Sequence, residues 1–183
     1  MKIHMTNLNG VVEIRAKRSG DDRGWFSETY KELALLDAGI NINFVQDNES
    51  FSASTGTLRG LHYQTTPHAQ DKVIRVISGS ILDVAVDIRR NSPSFGQHVA
   101  IRLTADDGNQ VLVPAGFAHG FCTLEPNTRV AYKVSGQYAP ECERAIRWDD
   151  SDLAIPWPLP ATGPILSSKD EIAPFLVDQP DLF

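Results

Sequence analysis

Between Ile81 and Arg89 the chain alternates. Leu82, Val84, Val86 and Ile88 are apolar, and Asp83, Ala85 and Asp87 stand between them. A period of two places one set of side chains on each face, so this segment predicts a half-buried β-strand. Val99, Ile101 and Leu103 repeat the pattern against His98, Arg102 and Thr104. Lys72–Ser78, Gln110–Val113 and Thr128–Val134 also read as strands. Short strands separated by turn residues predict a sandwich or barrel. The clearest helix in the first half is Lys31–Ala38, closed by Gly39 as a C-terminal cap. A second short helix is expected after Ser168. From Trp148 to Phe183 the pattern changes, with Pro156, Pro158, Pro160, Pro164, Pro174 and Pro180. Proline cannot donate to a strand ladder, so this stretch predicts a tail wrapped over the barrel, not a central strand. The 183 residues are expected to form one domain, residues 1–183, large enough to bury a core.

Charge narrows the partners. Seventeen Lys and Arg against 23 Asp and Glu give a net charge of −6, which argues against a nucleic-acid surface. It leaves room for a local basic pocket that takes a small anion. The segment Met1–Gly10 has no apolar core of a signal peptide, and no run is long enough to span a bilayer. The two cysteines, Cys122 and Cys142, stand apart from any ligand-spaced cluster, so they are expected to be reduced thiols in a cytoplasmic protein.

One motif is sharp. Gly108, Pro114, Gly116 and His119 have the spacing of the second cupin motif, in which glycine and proline set a tight turn and the histidine points into a barrel. Gly60, Thr66, His68, Lys72 and Gly79 keep the skeleton of the first cupin motif. There Thr66 replaces a histidine and Lys72 replaces a glutamate. An ammonium repels a cation, and at most two histidines remain, below the usual three protein ligands of a catalytic metal site. The expected chemistry is therefore acid–base, with no metal.

Strand parity puts Lys72 on one face with Ile74 and Val76, and Tyr132 on one face with Val130 and Val134. Two readings stand for each. Lys72 is either a snorkelling lysine at a strand end or a buried functional cation. Tyr132 is either ordinary core or a reactive phenol. Leu58–Gln64 adds a cation, a glycine and a histidine at the end of a strand, and His62 among other polar groups is a candidate base.

Several segments, in order, resemble the dTDP-4-dehydrorhamnose 3,5-epimerase family. They are Asp22–Glu28, Gln46–Ser50, Leu58–Gln64, Ala69–Lys72, Asp83–Arg89, Ser92–Gly96, Pro114–Phe121 and Leu166–Asp170. The resemblance implies an all-β, cupin-type jelly-roll barrel with a few short helices and a proline-rich C-terminal wrap. It implies a dTDP-linked 4-keto-6-deoxyhexose as substrate, epimerised at C3 and C5 with no cofactor. A single-site 3- or 5-epimerase and a non-catalytic nucleotide-sugar binding cupin are the alternatives. By resemblance His62 is the base, Asp170 orients it, Tyr132 is the acid and Lys72 stabilises the oxyanion. Arg23, Phe26, Glu28, Gln46, Asn48, Arg59, Glu143 and Lys169 would surround the nucleotide, with His119 near the sugar and Tyr138 stacked on thymine. The family also implies a homodimer, part of whose N-terminal segment reaches the neighbouring subunit. Gln137 and Ala145 depart from the family pattern, which bears on ring stacking and substrate preference.

Overall fold

A computed structural model describes residues 1–183. The first strands are β1 (Lys2–Met5), β2 (Val12–Arg15) and the hairpin β3 (Arg18–Asp21) and β4 (Gly24–Ser27), followed by α1 (Glu32–Asp37). Next come β5 (Gln46–Ser52), β6 (Leu58–Gln64), β7 (Lys72–Ser78), β8 (Ser80–Asp87) and β9 (His98–Thr104). The series ends with β10 (Asn109–Val113), β11 (Phe117–Thr123), β12 (Thr128–Val134), β13 (Glu143–Ala145) and the one-turn helix α2 (Ser168–Glu171). Two antiparallel sheets result. One has the order β1-β2-β10-β7-β12-β5 and the other β13-β6-β11-β8-β9. This is the expected cupin-type jelly roll.

The sheets close on a shared core. Ile74, Val76, Val111 and Val130 from the first sheet meet Ile81, Ala85, Leu103, Phe117 and Phe121 from the second. Both outer faces are covered as well. Val12, Ile14, Val73 and Leu112 lie under Leu35 of α1 and the loop carrying Ile40, Ile42 and Phe44. Leu61, Val84, Val86 and Ile88 lie under Ile146, Leu153 and Leu176. The proline-rich tail is thus the wrap that its composition predicts.

This double cover corrects the reading of β8. The strand is buried on both faces along most of its length, not half-buried. Its apolar face, Val84 and Val86, packs outward against the tail, while Ile81, Asp83 and Ala85 look toward the barrel. The alternating acids therefore stand inside the protein. Asp87 accepts from the Arg89 guanidinium and from the Ser92 and Ser94 hydroxyls at 2.5–2.8 Å. Burial alone would raise its pKa, but these donors hold the carboxyl far below the usual carboxylate range.

The α1 helix runs as its pattern predicts, with Gly39 at φ +80° donating its N–H to Leu36 O. No helix is long and apolar enough to cross a membrane.

Candidate active site

Between the two sheets a cavity of about 470 Å³ opens. The five-stranded sheet contributes Arg59 and His62 from β6 and His119 and Phe121 from β11. The six-stranded sheet contributes Ser50 from β5, Lys72 and Ile74 from β7, and Val130 and Tyr132 from β12. The tail closes one side with Ile165, Ser167, Lys169 and Asp170. His62 and Tyr132 therefore stand on different sheets, with the cavity shared between them.

Strict alternation would send Arg59 and His62, three residues apart, to opposite faces of β6. Both line the cavity. The strand changes parity at Gly60, whose φ of +128° favours glycine. A Cβ there would meet Gly120 Cα at 2.5 Å and His119 O at 2.9 Å. This close approach of β6 to β11 accompanies a register shift between His119 and Phe121, and it leaves His62 directly opposite His119.

His62 Nε2 lies 2.5 Å from Asp170 Oδ1. Asp170 comes from α2, where Ser167 caps the helix and its hydroxyl donates to Asp170 Oδ2 at 2.7 Å. The carboxylate is 2% exposed. Burial would raise its pKa, yet the His62 hydrogen bond and charge, Ser167 and Lys169 hold it below the ordinary value. A carboxylate that stays ionised fixes the imidazole's orientation and leaves the other ring nitrogen for chemistry.

Lys72 carries its ammonium into the same space, where Nζ donates to His62 O at 3.5 Å. Burial pulls its pKa to about 8, partly offset by Asp83 and Glu143. The inward face that parity gave Lys72 is therefore the one it occupies. Tyr132 packs against the barrel core. Burial raises its phenol above the ordinary range, against the opposing charges of Arg59 and Lys169, so the phenol holds its proton.

The nucleotide candidates divide. Arg59 reaches across to Ser52 Oγ and Phe51 O. Lys169 Nζ pairs with Glu143 Oε1 at 2.7 Å, and Tyr138 donates to Glu143 Oε2 at 3.0 Å. Gln46 and Asn48 line a smaller adjoining pocket of about 210 Å³ with Tyr138, Glu143, His62, Lys72 and Tyr132. Arg23, Phe26 and Glu28 do not join them. Arg23 sits in the β3–β4 turn paired with Asp21, Phe26 is exposed, and Glu28 pairs with Lys31. None of the three lines the cavity of its own chain.

Sequence reasoning missed three supports. Asp83 accepts from His119 Nε2 at 2.8 Å, both groups being buried. Its signal was present, as an acid on an alternating strand, but the face was not. Ser167 holds Asp170. Gln64, also buried, bonds His68 O, Gln137 O and Ala139 N, and so pins the loop that carries Tyr138. No set of three His, Cys, Asp or Glu side chains converges as a metal site would require.

The family model for dTDP-4-dehydrorhamnose 3,5-epimerase matches residues 5–178. The chain belongs to this family. It is 45% identical to a dTDP-4-dehydrorhamnose 3,5-epimerase from Sinorhizobium fredii, over 100% of this chain and 93% of the relative. A crystal structure of a dTDP-4-dehydrorhamnose 3,5-epimerase from Bacillus anthracis with TDP and PPi bound superposes with a TM-score of 0.92. Its identity is 48%, over 95% of this chain and 98% of that one. A dTDP-6-deoxy-D-glucose-3,5-epimerase from Legionella pneumophila, in complex with dTDP-4-keto-L-rhamnose, also gives 0.92. It is 42% identical over 96% and 93% of the two chains.

Proposed function

We propose that the chain epimerises C3 and C5 of dTDP-4-dehydro-6-deoxy-D-glucose to give dTDP-4-dehydro-L-rhamnose. The observation that carries the reading is the His62–Asp170 pair on one wall of a cavity whose other wall holds Tyr132 and Lys72. A C4 ketone acidifies the protons on C3 and C5. His62 removes such a proton, and the electron pair moves onto the ketone oxygen as an enolate. Lys72, charged below about pH 8, faces that oxygen and stabilises it. Tyr132 returns a proton from the opposite side, which inverts the carbon. The same groups serve both carbons in turn, once His62 has released its proton to solvent and the Tyr132 phenolate has taken one back.

Arg59 and Lys169 hold the diphosphate, where arginine's fork offers paired donors. Tyr138, more than half exposed at the cavity's edge, stacks on thymine. Arg23, Phe26 and Glu28 act in a homodimer, through a hairpin that reaches the neighbouring subunit. The reaction belongs to the cytoplasm and uses no cofactor.

The test is incubation with dTDP-4-keto-6-deoxyglucose in deuterium oxide, followed by proton NMR. Loss of both H3 and H5 signals supports the double epimerase. Loss of one alone moves the reading to a single-site epimerase. Binding without loss of either leaves a non-catalytic module.

A further inference from the structure

Across the whole chain two buried side-chain polar atoms lack any hydrogen-bond partner, Ser27 Oγ and Ser50 Oγ. Ser27 ends the second strand of the N-terminal hairpin, opposite Arg18. Ser50 lines the reactive cavity. A shielded hydroxyl without a partner carries a desolvation cost that nothing in the protein offsets.

Register locates this hydroxyl along the cavity. On β5 the residues Gln46, Asn48, Ser50 and Ser52 share the inner face, alternating with exposed Asp47, Glu49 and Phe51. Asn48 stands opposite Tyr132, Ser50 opposite Val130, and Ser52 opposite Thr128. Ser52 Oγ is held by Arg59, and Asn48 Oδ1 accepts from Gln46. Same-face neighbours on a strand are about 7 Å apart. Ser50 is therefore one step from the level of Tyr132 and one step from the level of Arg59. A pyranose with C3 to C5 between His62 and Tyr132, and its phosphate at Arg59, presents its C1–C2 edge at the Ser50 level.

We propose that Ser50 Oγ is the hydrogen-bond partner of the hexose C2 hydroxyl and selects substrates that carry it. The proposal rests on the epimerase reading. It concerns a polar group that the catalytic steps themselves do not use. Rotation about one side-chain bond turns the hydroxyl toward the ring.

The test compares wild type, Ser50→Ala and Ser50→Thr on dTDP-4-keto-6-deoxyglucose and on its 2-deoxy counterpart. Proton exchange is read by NMR and binding by calorimetry. Ser50→Ala is expected to lose about tenfold in kcat/KM on the 2-hydroxy substrate and nothing on the 2-deoxy one. Ser50→Thr, which keeps a hydroxyl, retains most of the activity. The melting temperature of Ser50→Ala does not fall below the wild-type value, because no protein hydrogen bond is removed and a desolvation cost is relieved. Equal losses on both substrates, or no loss on either, overturn the assignment. Wild type that binds both sugars but exchanges no proton overturns the epimerase reading instead. In that case equal affinity of Ser50→Ala and wild type for the 2-hydroxy ligand overturns the Ser50 contact too.

Discussion

Two histidine–aspartate pairs stand side by side in this barrel, and they are built differently. His62 and His119 are directly opposed on neighbouring strands. His119 takes its acid, Asp83, from the next strand of the same sheet, at 2.8 Å. His62 takes Asp170 from a one-turn helix in the tail, at 2.5 Å. The His119 side chain is 10% exposed and that of His62 is 24% exposed. Identical residue types thus give an inner pair locked within the sheet and an outer pair that opens to the cavity. A base must reach its proton, which is why the proposed mechanism takes the more open pair as the reactive one and leaves the inner pair to shape the wall. The wrap of the tail, which has no regular core of its own, is what completes the reactive pair.

The sharpest way to break this contrast is to remove each imidazole in turn. His62→Ala is expected to lower kcat by about 10²–10⁴-fold, the usual worth of a positioned base. His119→Ala is expected to cost about tenfold, mainly in KM, the scale of one hydrogen bond. Steady-state kinetics on the two variants checks the order, and a reversed order would exchange the roles of the pairs.

A smaller effect separates the acids. Asp170→Asn keeps the shape of the side chain but removes the charge that orients His62. Its kcat is expected to fall by about 10²-fold, with little change in KM. A pH series then sharpens the part played by Lys72. Its pKa is lowered to about 8, so the ammonium is present below that pH and lost above it. For a charged oxyanion partner, kcat/KM should fall about tenfold per pH unit above about pH 8. In Lys72→Met that alkaline limb should vanish, with a much lower plateau.

The smallest effect on turnover is expected at Asp87, on the same strand as Asp83. Its carboxylate is saturated by Arg89, Ser92 and Ser94 and faces no substrate group. Asp87→Asn should cost about 1–3 kcal/mol of stability by denaturant unfolding and leave kcat unchanged. Because the folded-state pKa is depressed, Asp87 stabilises the fold above the ordinary carboxylate range. That contribution is lost as pH falls below it.

Much of this was legible in the sequence, and the gaps have physical causes. Period-two patterns located β7, β8, β9, β10 and β12, and parity put Lys72 and Tyr132 on the inner face. The order of motifs identified the His62–Asp170 pair, 108 residues apart in the chain. Parity failed for β8, because the outer face of the sheet is also buried, under the tail, and an apolar face no longer means an inward one. Parity would also mislead across Gly60, where the strand switches face. The strand β5 went unread because its inner face, Gln46, Asn48, Ser50 and Ser52, is polar and so carries no alternation of apolar and polar residues. Arg23, Phe26 and Glu28 belong to a motif, yet the hairpin that bears them stands away from its own cavity. Sequence order alone carries no such geometry.

Deuterium wash-in by purified His62→Ala tests the central assignment most directly. With dTDP-4-keto-6-deoxyglucose in deuterium oxide and a wild-type melting temperature, neither H3 nor H5 should exchange, whereas His119→Ala should exchange both at a reduced rate. Persistent exchange at either carbon in His62→Ala would contradict one base serving both positions.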